Sequence, residues 1–135
     1  MIQTKMIFSG KRKTAVAKVR LTDGLGKITY NKTLLENLKF FHKLALLEPI
    51  RIYEKVMGKL PYDLLVSVQG SGKESQIQAA RLAIAKAFVA VSKSAELRDA
   101  YLRYDRHLLV ADVRRKEQRK PGDSKAREKR QKSYR

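Results

Sequence analysis

The sequence predicts an α+β fold, a small and mostly antiparallel sheet packed with helices, followed by a long basic C-terminal tail. Three observations predict it. Residues 14–21 alternate between small or apolar and mostly polar side chains, residues 32–57 repeat apolar side chains every three to four positions, and residues 114–135 contain no Leu, Ile, Val or Phe. Period two marks a strand with one face on a core, and a period near 3.6 marks a helix. A segment with one aromatic and no large aliphatic side chain cannot offset a chain entropy of ~1–2 kcal/mol per residue, so the tail is expected to be disordered in isolation. The expected division is a globular domain over residues 1–113 and an extended basic tail over 114–135.

The elements follow in order. "KMIFSG" reads as a first strand, and Lys11, Arg12 and Lys13 fall at the turn after it or the start of the next strand. From Thr14 to Leu21, Ala15, Ala17, Val19 and Leu21 share one side; Thr14, Val16, Lys18 and Arg20 share the other. "TDGLGK" then supplies Asp23, Gly24 and Gly26, which tolerate positive φ, before the β-rich "KITYN"; this predicts a hairpin and an antiparallel meander. Leu34, Leu35, Leu38, Phe41, Leu44 and Leu47 mark helix, and Pro49 predicts a division into two short helices near Glu48, because proline disfavours helical backbone before it. "YDLLVSVQG" reads as a buried strand of Leu64, Leu65, Val66 and Val68. The longest helix is expected over about 72–91, and "SAELRDAYLRYD" gives another.

Charge narrows the function. The 135 residues hold 31 Lys and Arg against 13 Asp and Glu, a formal net charge of +18, far beyond the magnitude of roughly 2–8 that keeps a small domain soluble. Such self-repulsion points to a polyanionic partner, with nucleic acid first. Residues 1–20 carry six basic side chains (Lys5, Lys11, Arg12, Lys13, Lys18, Arg20) and no acidic ones, and residues 114–135 carry eleven basic and three acidic. Two basic ends therefore flank a nearly balanced middle. Cysteine is absent, which excludes disulfides and thiolate metal sites. No apolar run approaches the ~20 residues that span a bilayer, so no membrane partner is expected. The basic opening lacks the continuous apolar stretch of a secretory signal.

"QGSGKES" invites comparison with the phosphate-cradling loop G-x-x-x-x-G-K-[ST]. Ser67 stands where the first glycine belongs, and Glu74 replaces the magnesium-binding hydroxyl, so nucleotide hydrolysis is not expected. Ser71 and Glu74 instead suggest a capping box, with Gly70 and Gly72 easing the turn from strand to helix. A compatible reading gives Lys73 and the helix start to a phosphate of RNA. His42 and His107 lack the spacing of a metal site or triad and read as surface or packing residues. Asp99 and Asp105, among Arg98, Arg103 and Arg106, read as ordinary helix charge pairs. No catalytic residue, metal or cofactor is expected.

"GSGKESQIQAARLAIAKAF" (Gly70 to Phe88) resembles the signature of the small-subunit ribosomal protein nine family, with Gly70, Gly72, Gln76, Ala79, Ala83, Ala85, Lys86 and Ala87 matching and Ser71 replacing a third glycine. "GKRKTAVAKVRL" followed by "GLGKITYN" resembles the family's opening strands, and "LLVADVRRKEQRK" with the closing "QKSYR" resembles its end, although Val113 stands where proline is common. The ending resembles the archaeal and eukaryotic branch, and the compact N-terminus favours the archaeal.

The resemblance implies a fold similar to the second domain of small-subunit ribosomal protein five. It also implies a structural role in the small ribosomal subunit in the cytoplasm, docked on ribosomal RNA of the subunit head beside neighbouring head proteins. Its tail would run toward the anticodon stem-loop of transfer RNA in the peptidyl site, with Arg135 matching the family's final arginine. From side-chain chemistry, Lys132 suits a phosphate and Tyr134 suits stacking. The ribosomal RNA contacts expected are Lys11, Arg12, Lys13 and Lys73 on the domain and Arg114, Arg115, Lys116, Arg119, Lys120, Arg127, Lys129 and Arg130 on the tail. Extended, the 22 tail residues would reach up to ~75 Å. A partly helical tail, paired Asp123 with Arg127 and Glu128 with Lys132, is the plainer alternative; a free chromatin or translational regulator is the rival function.

Overall fold

A computed structural model describes residues 6–122, 125–129 and 132–134. Five strands form one sheet: β1 (Ile7–Arg12), β2 (Ala15–Asp23), β3 (Ile28–Tyr30), β4 (Thr33–Leu34) and β5 (Tyr62–Gln69). Helices α1 (Phe40–Met57), α2 (Lys73–Ser92) and α3 (Ala95–Tyr104) accompany it, with short 3-10 turns at Leu35–Asn37 and Arg106–Leu108. The sheet order is β1-β2-β5-β3-β4, antiparallel except where β3 runs parallel to β5. The α+β expectation and the mostly antiparallel sheet are both met.

The predicted alternation in β2 sends Ala15, Ala17, Val19 and Leu21 into the core beneath the helices. Leu64, Val66 and Val68 of β5 continue that buried face. Leu65, expected inside with its neighbours, points the other way and is about half exposed. The small residues of α2 have a steric cause. A Cβ added to Gly10 of β1 would lie 2.2 Å from the Ala79 carbonyl oxygen and 2.8 Å from the Ala83 nitrogen, so helix and strand are in backbone contact. Only Gly below and Ala above permit that approach. Opposite, the Phe88 ring packs 4.7 Å from that of Tyr53 on α1.

Three further expectations are corrected. First, β2 and β3 do not form a hairpin, because β5 lies between them. The turn signal at residues 23–27 is real, but the turn binds to the start of β5. One carboxylate oxygen of Asp63 accepts from the backbone N–H groups of Leu25, Gly26 and Lys27 at 3.0, 3.0 and 2.7 Å, and Gly24 donates to the Pro61 carbonyl. Held there, the chain crosses to the far side of β5 before β3 begins.

Second, Pro49 lies inside a single 18-residue α1, where a break was expected. An interior proline typically costs ~3 kcal/mol. Here the ring is buried in the core, and the Pro49 carbonyl accepts the Tyr101 hydroxyl of α3 at 2.7 Å, contacts that offset the local cost. Leu34, Leu35 and Leu38 precede this helix, in β4, the 3-10 turn and its C-cap.

Third, Ser71 and Glu74 form no capping box. The N-cap of α2 is Gly72, Ser71 has φ +54°, and Glu74 turns to His42 of α1 at 2.7 Å. Gln76 instead ties the loop, donating from Nε2 to the Gly70 carbonyl at 3.0 Å. A side-chain cap does exist one helix later, where Ser94 Oγ accepts from Leu97 N–H.

Candidate nucleic-acid interface

The two basic ends, about a hundred residues apart in sequence, meet at the β1–β2 turn. Arg12, at the end of β1, is half-buried and directs all of its guanidinium inward. Its Nε donates to Gln78 Oε1 of α2 at 2.9 Å, its Nη1 to the Arg114 carbonyl at 3.1 Å, and its Nη2 pairs with Asp112 at 3.2 Å. Arg115 answers from the tail, donating to the Lys13 carbonyl at 3.1 Å. Lys13 has φ +53°, so the two-residue turn exposes that carbonyl in a left-handed bend.

Asp112 is the hub of this latch. Its carboxylate receives the Arg114 backbone N–H at 2.9 Å and the Arg114 guanidinium at 2.8–3.1 Å, in addition to Arg12. The Arg114 side-chain hydrogen bonds, then its backbone N–H, hold the Asp112 carboxyl well below the usual carboxylate range, and the Arg114 guanidinium is raised in return. No signal in the sequence marked Asp112, since a lone acidic residue between apolar and basic segments has no period or motif.

Lys11 and Lys13 are exposed around the latch, as are Arg114, Arg115 and, further along the tail, Lys116, Arg119 and Lys120. Among the described residues, nothing after the 3-10 turn at Arg106–Leu108 is helix or strand. Exposed Arg127 pairs with Glu117 through both guanidinium branches, at 2.5 and 2.9 Å. This pairing lowers the Glu117 carboxyl. Lys129, Lys132 and Tyr134 are exposed. Arg130 and Arg135, and Asp123 of the helical-tail alternative, lie outside the described residues.

Lys73 opens α2 and is exposed about the Gly70–Gly72 loop; no side chain caps that helix start. It stands apart from the latch in a shallow groove shared with Lys39, His42 and Asn37. Asp105 does not pair along its own helix, as expected, but with Arg81 of α2 at 3.0 Å, and Arg81 also meets Glu48 of α1. This knot ties three elements together beside the latch, where Arg81 and Asp105 line one hollow with Arg12, Asp112 and Arg114. Among the described residues, no cluster of three His, Asp or Glu is placed to hold a metal, and no helix is long and apolar enough to cross a membrane.

Comparison with known proteins adds the family. The profile described as ribosomal protein S9/S16 matches residues 10–135. The small ribosomal subunit protein uS9 of Methanococcus vannielii is 43% identical over 129 residues, covering 93% of this chain and 95% of its own. The protein of the same name from Halobacterium salinarum is 43% identical over 129 residues, covering 94% and 96%. That of Desulfurococcus amylolyticus is 37% identical over 131 residues, covering 96% and 92%.

Proposed function

The chain belongs to the ribosomal protein S9/S16 family, a structural protein of the small ribosomal subunit and not an enzyme, and on that premise we propose how it holds RNA. The domain over residues 1–113 binds ribosomal RNA of the subunit head, and the tail over 114–135 runs from it toward transfer RNA in the peptidyl site. One observation carries this reading: the latch joins the root of the basic tail to the basic β1–β2 turn, so both charged ends leave from one place.

Lys11, Lys13, Arg114, Arg115, Lys116, Arg119 and Lys120 then form a single cationic track along which phosphates can lie. Lys73 meets a phosphate at the α2 start, and Arg127, Lys129 and Arg130 extend the track. Lys132, Tyr134 and Arg135 reach the anticodon stem-loop. Arg12, whose guanidinium is bonded internally, aims the track instead of adding a contact to it. With about eight phosphate contacts, log affinity falls against log salt with a slope near −6 to −7.

The test is deletion of residues 132–135 from the full chain. Subunits containing the shortened protein should assemble and sediment normally, yet retain less transfer RNA in the peptidyl site. Unchanged retention would remove the tip from the mechanism, and failed assembly would make the tail mainly an anchor on ribosomal RNA.

A further inference from the structure

The helices cover only one face of the sheet. The strand register places the side chains of the other face in rows: Ile7, Arg20, Leu65, Thr29 and Leu34 lie across the sheet in one, and Ser9, Lys18 and Ser67 in the next. Lys11, Val16 and Gln69 form a third. Ile7, Leu34 and Leu65, in the first of these rows, are each more than two-fifths exposed.

Resting on the ribosomal reading above, we propose that this open sheet face is a second RNA-binding surface, taking an unpaired strand of ribosomal RNA. Charge identifies the occupant. The rows carry Lys11, Lys18 and Arg20, and the carboxylate on this face, Asp63, is already engaged by the three N–H groups of residues 25–27. Lys18 and Arg20 are alternate residues of β2, so they stand about 6.6–6.8 Å apart on one face, a step comparable to that between successive phosphates of one strand.

The remaining groups suit the rest of a nucleotide. Beside Lys18, a shallow hollow is lined by Thr14, Val16, Ser67, Gln69 and Gly70. Its hydroxyl and amide groups can bond to ribose 2′-hydroxyls and base edges, the recognition single-stranded RNA offers. Ile7 and Leu65, flanking Arg20, give bases an apolar surface, and the Arg20 guanidinium plane offers a stacking partner. An acidic protein surface would satisfy the cations but leave the hollow and the apolar row unused. Lys18 and Arg20 therefore have a role distinct from the latch and tail.

The test compares the full-length wild-type chain with Lys18→Gln/Arg20→Gln and, as a control of equal charge change, Lys55→Gln/Lys59→Gln, exposed residues in the last turn of α1 and just beyond its C-cap. Each is titrated against a small-subunit ribosomal RNA transcript at several salt concentrations. The sheet variant should lose about 0.7–0.9 from the magnitude of the salt slope for each cation removed, with at least tenfold weaker binding near 100 mM salt; the control should keep the wild-type slope. These side chains are exposed on the strand, and an unchanged circular dichroism melt confirms the fold; Lys18→Glu alone serves if the double variant unfolds. Equal slopes in the sheet variant and the control overturn this proposal alone, as does photo-crosslinking of position 20 in assembled subunits to protein and not RNA. Failure of the wild-type chain to bind the transcript overturns the parent reading as well.

Discussion

At the scale of single residues, Asp112 shows how a position without a motif decides where a basic surface lies. Arg114 lowers its carboxyl chiefly through side-chain hydrogen bonds. A carboxyl depressed in the folded state stabilises that state above its unfolded value, ~3.9 for Asp, and the contribution disappears as pH falls through the lower folded value. The tail root should therefore stay docked from neutral pH down past pH ~4 and release only in stronger acid. The backbone amide of Arg114, which donates to this carboxylate, reports it directly: its NMR shift should be flat through the ordinary carboxylate range. A titration midpoint near 4 would mean that the pair does not form in solution, and Asp112→Asn should abolish the acid transition altogether.

At the scale of elements, the strands and helices were legible where a pattern repeats, and their partners were not. The alternation of β2 and the length of α2 follow from period alone, but the glycines after β2 announce a reversal without naming the strand that receives it. Asp63, forty residues on in sequence, makes that choice, and no local rule reaches it. Pro49 fails for a related reason. Its local preference is to interrupt a helix, and tertiary contact overrides that preference through Tyr101, whose phenol burial raises well above its ordinary range. Of the candidate site, the number and clustering of cations could be read from the sequence; which of them point inward, as Arg12 does, depends on contacts between distant segments. The Tyr101–Pro49 bond gives a prediction at this scale. Tyr101→Phe keeps the buried ring but removes one buried hydrogen bond to a carbonyl of α1, at a cost of ~0.5–1.5 kcal/mol. The thermal midpoint should fall by about 4 °C per kcal/mol with the helical circular dichroism signal intact. No change in midpoint would show that Pro49 is held by packing alone.

At the scale of the whole molecule, a net charge of +18 has two possible uses, as a general attraction to RNA or as an aimed track, and Arg12 separates them. If Arg12 touched phosphate, its charge would matter and its shape would matter little. As the centre of the latch, it needs the planar fork that reaches Gln78, Asp112 and the Arg114 carbonyl at once, which a lysine ammonium cannot supply. Arg12→Lys preserves every charge, so the salt slope of binding to small-subunit ribosomal RNA should be unchanged. Loosening the tail root lowers the effective concentration of the tail cations beside those of the β1–β2 turn, so the whole line should shift to weaker binding, by roughly tenfold for a lost coupling of about 1.4 kcal/mol. Trypsin should also cleave faster after Arg114 and Arg115, which the latch otherwise holds against the turn. Wild-type affinity together with wild-type cleavage would mean that the two basic ends act independently and that their meeting has no part in how the protein holds RNA.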